Sequence, residues 1–288
     1  MSTTTLRLKT RHRFDWRRLI FSHGWVHLAP FEWSDEHHTL SRPLRLPSGR
    51  SVRVTIPPDL RAMIDAKIRK SDEAELVRQI RRMLRLDDDF SDFHRLCKTD
   101  PLLSFASKAR CGGLLRGATP FEDVIKTVCT TNCDWRNTKS MCEKLCALDA
   151  DGNFPTPKRI LGFSERQLAA KSACGYRAKT VRTVARLFAD NRLPLDAWAA
   201  NKDFERIAAA LEPIWGIGPY ALSHILVLLG DYRTIPVDSE ILKYLSKTHF
   251  KGRKVTPKRA VQPYERFGDF RYLAFKFGRM SRRENYIN

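Results

Sequence analysis

The sequence predicts an α+β fold, with a small N-terminal antiparallel β-sheet domain followed by a mainly α-helical core. Three observations predict it. Residues 1–95 hold short runs rich in β-formers, separated by Pro, Ser and Gly turns. From residue 96 onward apolar residues recur at helical spacing. The composition, 42% hydrophobic and 29% charged over 288 residues, is that of a globular chain with a substantial core, which excludes disorder as the main state.

The elements follow in order. Trp25-Val26-His27-Leu28 and Ser51–Ile56 read as strands, with turns supplied by Pro43, Pro47, Ser48 and Gly49. Pro57-Pro58 ends the sheet, an amphipathic helix is expected from Asp59 to Leu84, and Asp87-Asp88-Asp89 opens the next segment. Phe121–Thr131 is apolar at helical spacing after Pro120, a residue suited to a first helical position. Glu165–Ser172, Arg177–Asp190, Phe204–Leu211, Tyr220–Leu229, Ser239–Thr248 and Asp269–Arg279 read the same way. The expected division is therefore a sheet domain with its linking helix over 1–95 and a helical core over 96–288.

Charge is the unusual property. Lys and Arg number 52 against 32 Asp and Glu, a net charge of +20 with a pI near 10.0. Such an excess points to a polyanion, most simply nucleic acid; a basic protein with a solvated charged face is the plainer alternative. The excess lies mainly in the helical part: only Glu265 and Asp269 oppose the dense run of Lys and Arg between Lys243 and Arg283. No apolar run approaches the ~18 residues of a membrane helix, and the N-terminal residues lack the apolar stretch of a secretory signal. A soluble, cytoplasmic protein without a membrane partner is expected. The seven cysteines are an odd number with no zinc-type spacing. Cys129-x3-Cys133 and Cys142-x3-Cys146 are read as buried free thiols rather than a metal site.

The most informative stretch runs from Leu211 to Leu229. A helix ends near Pro213, Gly216-Ile217-Gly218 makes a tight turn, and Pro219 opens the next helix. Glycines admit backbone conformations closed to other residues and let a phosphate approach the amides. The unpaired amides at the helix start form an anion site. A plain packing corner is the alternative, against which stands the full Leu-x2-Ile-x-Gly-Ile-Gly-x3-Ala pattern. Nine residues past Leu229 comes Asp238, approached in extended conformation because Pro236 disfavours helix at Ile235. Asp238 is either a helix N-cap or a carboxylate presented to whatever the hairpin holds.

The hairpin at about 205–229, with the Pro-Val-Asp segment inside a loop at about 234–240, resembles the signature of the helix-hairpin-helix (HhH-GPD) DNA glycosylases, closest to the branch of 8-oxoguanine and 3-methyladenine glycosylases. Phe14-Asp15-Trp16 through Pro30-Phe31-Glu32-Trp33 resembles that branch's sheet domain. Thr119-Pro120-Phe121-Glu122 through Cys129-Thr130-Thr131-Asn132 resembles its early helix and DNA-inserting loop, and Gly175-Tyr176-Arg177-Ala178-Lys179 its second inserting loop.

The resemblance implies a base-excision-repair enzyme. It would act as a monomer on double-stranded DNA, flip a damaged base and cut its bond to the sugar. Asp238 would be catalytic. Gly216, Gly218, Tyr220, Asn132, Tyr176, Arg177 and Lys179 would bind DNA, with Asn132 at the orphaned base and Tyr176 as a wedge. Tyr220, His224, Tyr272 and Phe275 would line the base pocket, and aromatic rings there would suit an alkylated purine. For Asn132, Tyr176, His224, Tyr272 and Phe275, capping or core packing is the competing account. The family's bifunctional members place a Lys where this chain has Tyr220, so the resemblance implies base release without strand cleavage. His23-Gly24-Trp25-Val26-His27 departs from the Gly-Gln-x-Phe-x-Trp pattern of the oxidised-purine enzymes. The last cysteine is Cys174, which leaves no ligands for the C-terminal iron–sulfur cluster of some relatives. No cofactor is expected beyond a monovalent cation at the hairpin. The location expected is the cytoplasm, on the nucleoid in a bacterium. A bifunctional glycosylase/lyase and a non-catalytic damage-recognising DNA-binding protein are the alternatives.

Overall fold

The computed structural model describes residues 3–284. Five strands, β1 (Thr4–Arg7), β2 (Glu32–Ser34), β3 (Thr39–Arg45), β4 (Ser51–Ile56) and β5 (Arg61–Ile64), form one antiparallel sheet in the order β1-β5-β4-β3-β2. The first eight helices are α1 (Trp16–Ile20), α2 (Lys70–Leu84), α3 (Ser91–Cys97), α4 (Ser104–Lys108), α5 (Pro120–Thr130), α6 (Trp135–Cys146), α7 (Pro157–Leu161) and α8 (Glu165–Ser172). The remainder are α9 (Arg177–Ala189), α10 (Leu195–Ala200), α11 (Phe204–Leu211), α12 (Pro219–Leu229), α13 (Ser239–His249), α14 (Pro257–Val261) and α15 (Arg271–Glu284). The α+β class is as the sequence predicts.

The chain forms two compact units, Met1–Asp89 with Gly113–Pro194, and Phe90–Gly112 with Leu195–Asn288. The sheet thus shares its unit with α5–α9, whereas the sequence reading divides the chain at residue 95.

In the first unit the strands alternate. Val52, Val54 and Ile56 of β4 are buried beside Leu40 and Leu44 of β3, in the register Leu40↔Ile56 and Leu44↔Val52. Two expectations are corrected here. Trp25–His27 is a 3₁₀ turn, not a strand, because Gly24 at φ +97° turns the chain just before it. The helix expected from Asp59 starts only at Lys70. Leu60 (φ +61°) turns the chain and β5 intervenes, with Ala62 and Ile64 buried and Arg61 and Met63 outward.

The inner face of β3 also carries Arg42, buried between Leu40 and Leu44. Its guanidinium donates two hydrogen bonds, of 3.0 and 2.9 Å, to Glu122 of α5. Lys126, one turn on, donates to the same carboxylate at 2.7 Å. Both cations lie over the Phe31 ring, at 4.6 and 4.7 Å. Burial pushes the Glu122 carboxyl up, but Arg42 and Lys126 overcome it and hold the group at about 2. The next residue, Asp123, accepts from Arg82 of α2 at 2.8 Å, from the Trp25 indole at 3.0 Å and from the Gly117 amide at 2.7 Å. Sheet, α2 and α5 are therefore joined through buried, paired charges.

In the second unit, Phe93 and Phe277 are fully buried with ring centroids 6.1 Å apart, and Phe270 packs 5.8 Å from Phe93. Around this core α11 and α12 form the hairpin, and the chain between α12 and α13 carries Asp238.

Candidate active site and nucleic-acid interface

Ile217 donates to the carbonyl of Ile214 at 3.0 Å, folding the hairpin between α11 and α12. Ile214 and Ile217 point inward while Gly216 and Gly218 are exposed. Their reasons for being glycine differ. Gly216 has φ +86°, a left-handed conformation that penalises a side chain. Gly218 is extended at φ −85°, which any residue adopts, and a Cβ there would meet nothing within 4 Å. Nothing inside the protein requires glycine at 218, so its bare backbone suits close approach from outside, at the open amides beginning α12.

Past α12, Gly230 (φ +114°) ends the helix in left-handed conformation, and an irregular segment with a bend at Arg233 leads to Asp238, which is itself extended. This segment is pinned. The Arg233 guanidinium donates to both Asp231 oxygens at 2.8 Å and to Glu205 of α11 at 3.0 Å. The Tyr232 carbonyl accepts from the Tyr272 amide at 3.0 Å. Asp238 itself caps α13: Oδ1 accepts from the Ile241 amide at 2.7 Å. Oδ2 has no hydrogen-bond partner among the described residues. The cap orients the carboxylate and leaves one oxygen open.

Tyr220 and His224 lie one turn apart on α12, rings 15° from parallel with centroids 6.1 Å apart, and both are half-buried. Burial, and then the nearby Lys276 charge, pushes the imidazole down to about 4, so His224 is neutral at physiological pH. Tyr220 and Ser223 also line a cavity of about 340 Å³ walled by Arg233–Val237 and by Lys258, Glu265 and Arg271. Phe275 and Tyr272, the other two expected pocket residues, lie on α15. Both are buried, Phe275 being ringed edge-on by Tyr244 at 6.2 Å and Tyr264 at 5.7 Å. Burial pushes the Tyr272 phenol up, with Tyr220 and Tyr232 adding to the shift.

The remaining predicted residues belong to the first unit. Asn132 ends α5 exposed, in left-handed conformation (φ +48°), which asparagine tolerates well. Tyr176 is 53% exposed at the start of α9. Arg177 is buried beneath it, its guanidinium carbon 4.6 Å from the ring centroid. Arg177 donates to the carbonyls of Thr131 and Asn132, at 3.3 Å for the latter, and so ties the two loops together rather than standing free for a ligand. Lys179 is exposed on α9. Sequence reasoning missed Arg233 and Glu205 as the struts of the Asp238 segment, because nothing local links positions 28 apart.

Six cysteines are buried and Cys133 is half-buried. Burial pushes the Cys97 and Cys146 thiols up to about 12, marking both as inert. Among the described residues no group of three or more His, Cys, Asp or Glu is placed to hold a metal, and no helix is long and apolar enough to cross a membrane.

The chain thus carries a glycine hairpin between two helices, followed by a capped aspartate on a pinned segment. The family model described as HhH-GPD superfamily base excision DNA repair protein matches residues 125–267 of the chain.

Solved structures share the architecture. The 3-methyladenine DNA-glycosylase of Archaeoglobus fulgidus superposes with a TM-score of 0.73 at 20% identity, covering 98% of this chain and 99% of that one. An 8-oxoguanine glycosylase/lyase of Clostridium acetobutylicum, in complex with double-stranded DNA, gives 0.68 at 17% identity with 98% of each chain covered. The 3-methyladenine DNA glycosylase of Schizosaccharomyces pombe, in complex with abasic DNA, gives 0.52 at 19%, covering 67% of this chain and 97% of that one. At these identities the likeness is one of fold. Comparison with the curated proteins gives no match.

Proposed function

We propose that this chain is a monofunctional DNA glycosylase. It binds duplex DNA carrying a damaged base, extrudes that nucleotide and hydrolyses its N-glycosidic bond. The observation that carries the reading is the pairing of Asp238, capped through one oxygen and open at the other, with a tyrosine at position 220. As the bond from C1′ to the base breaks, the sugar gains oxocarbenium character. An oriented carboxylate stabilises that charge and accepts a proton from the water that adds to C1′, while the base leaves with the bonding pair and takes up a proton. A phenol at position 220 cannot form the imine on which lyase chemistry depends. The protein would work as a monomer in the cytoplasm and need no organic or redox cofactor; the backbone carbonyls of the hairpin around Gly216 and Gly218 would hold a monovalent cation, which would supply positive charge for an anionic DNA backbone.

Alkylated purines stand ahead of deaminated and oxidised ones as the substrate, on the aromatic rings of Tyr272 and Phe275. The test is base release from duplexes bearing an alkylated purine, hypoxanthine, uracil or 8-oxoguanine, each with and without hot alkali. Strand scission only after alkali, absent in Asp238→Asn, establishes the reading; tight binding with no release from any duplex favours a non-catalytic DNA-binding protein.

A further inference from the structure

Gly24 lies in the segment that departs from the oxidised-purine pattern, and the structure shows what it accommodates. Its φ of +97° favours glycine, and a Cβ there would stand 3.2 and 3.3 Å from Cζ2 and Cη2 of Trp135. The six-membered ring of Trp135 therefore rests against the bare Cα of Gly24. The seat is built from both ends. Asp134 caps α6 by accepting from the Asn137 amide at 2.7 Å, which fixes the backbone of Trp135 as the first helical residue.

A tryptophan held this firmly is normally covered, yet Trp135 is 40% exposed. It lies three residues beyond exposed Asn132, inside the stretch matched by the DNA-repair family model. Arg136 is exposed beside it, and Lys139 lies one turn on, close enough to His27 to help burial lower that imidazole's pKa. An exposed, preorganised indole flanked by cations matches the chemistry of a nucleobase, whose face stacks on the ring while its phosphates meet the cations.

We propose that Trp135, seated on Gly24, is a stacking platform for an unstacked nucleobase of bound DNA. The inference rests on the DNA-binding part of the proposed function. Two bases offer this chemistry, the orphaned base opposite the lesion and the extruded base itself.

The test uses the full chain and 2-aminopurine, whose fluorescence falls on stacking. One duplex places it opposite a tetrahydrofuran abasic analogue; the other places it at the extruded position opposite thymine. Wild type, Trp135→Phe and Trp135→Ala are compared, with circular dichroism to verify folding.

In one arm the bound fluorescence should be several-fold lower for wild type than for Trp135→Ala, with Trp135→Phe close to wild type; the arm that responds identifies the base. Affinity for that duplex should fall about 5- to 150-fold in Trp135→Ala, with an undamaged duplex unaffected. Equal fluorescence and affinity for folded wild type and Trp135→Ala in both arms would overturn the platform while leaving DNA binding intact. Failure of wild type to bind any duplex would overturn the DNA reading and the platform with it.

Discussion

Arg233 and Glu205 are 28 residues apart in sequence and 3.0 Å apart in the fold, joining the segment that leads to Asp238 to the first helix of the hairpin. The same guanidinium is held by both oxygens of Asp231, and this fork-to-fork geometry fixes direction as well as distance. The carboxylate proposed for catalysis and the backbone proposed to hold DNA are thus positioned against each other.

That coupling gives a prediction on rate. Arg233→Gln should lower single-turnover base release about ten-fold or more while DNA affinity stays within about two-fold, because small misplacements of a reacting group are costly. Glu205→Gln should show a weaker effect in the same direction. A loss of affinity in Arg233→Gln equal to its loss of rate would mean that Arg233 contacts DNA instead.

Asp238 has two duties that substitution can separate. Asparagine caps a helix as well as aspartate, so Asp238→Asn should keep its melting temperature and DNA affinity while losing roughly 100-fold or more in base release. Asp238→Ala should lose the same activity and also about 1 kcal/mol of stability, read from denaturant titration.

The two hairpin glycines should respond in opposite ways. Gly216→Ala forces a side chain into left-handed backbone and should cost about 1–2 kcal/mol of stability. Gly218→Ala meets open space, so its melting temperature should match wild type while its affinity for any duplex falls. A Gly218→Ala protein that binds DNA normally would remove the close-approach argument.

His224 is neutral down to about pH 4. The rate of base release between pH 5 and 8 should therefore show no inflection near 6.5 from this residue, and the profiles of wild type and His224→Asn should run parallel.

Acid stability should depend on Glu122. Its pKa is about 2 in the fold against an ordinary 4.5. The depressed value means that its contribution is fully present above about pH 4.5 and is lost as the pH falls toward 2. Glu122→Gln leaves Arg42 and Lys126 buried without their counter-charge and should cost roughly 3–5 kcal/mol at neutral pH. Denaturant titrations at several pH values should then show a shallower acid dependence in the variant.

Local chemistry was readable in the sequence and long-range geometry was not. The α12 start, the Asp238 cap and the left-handed turns around Gly216 and Asn132 all follow from residue types at fixed spacing. β5 escaped because alternation over the four residues Arg61–Ile64 also fits the front of the amphipathic helix behind it, and only pairing with β1 and β4 decides between them. Tyr272 and Phe275 sit at a spacing that a buried helix face and a ligand pocket share. Arg177 reads as a DNA-binding residue in the sequence because its partners are carbonyls, which a sequence does not display. Arg42 is legible in principle: it occupies an inward position between Leu40 and Leu44, where a charge requires a buried partner.

That cluster also constrains how the protein can change over time. Arg42, Glu122 and Lys126 are all buried and the two cations share one carboxylate, so losing Glu122 alone would strand two positive charges, whereas losing Lys126 alone leaves the two-bond Arg42–Glu122 pair intact. Descendants of this chain should therefore replace Lys126 before the other two, and a homologue that has lost Glu122 should have lost both cations with it.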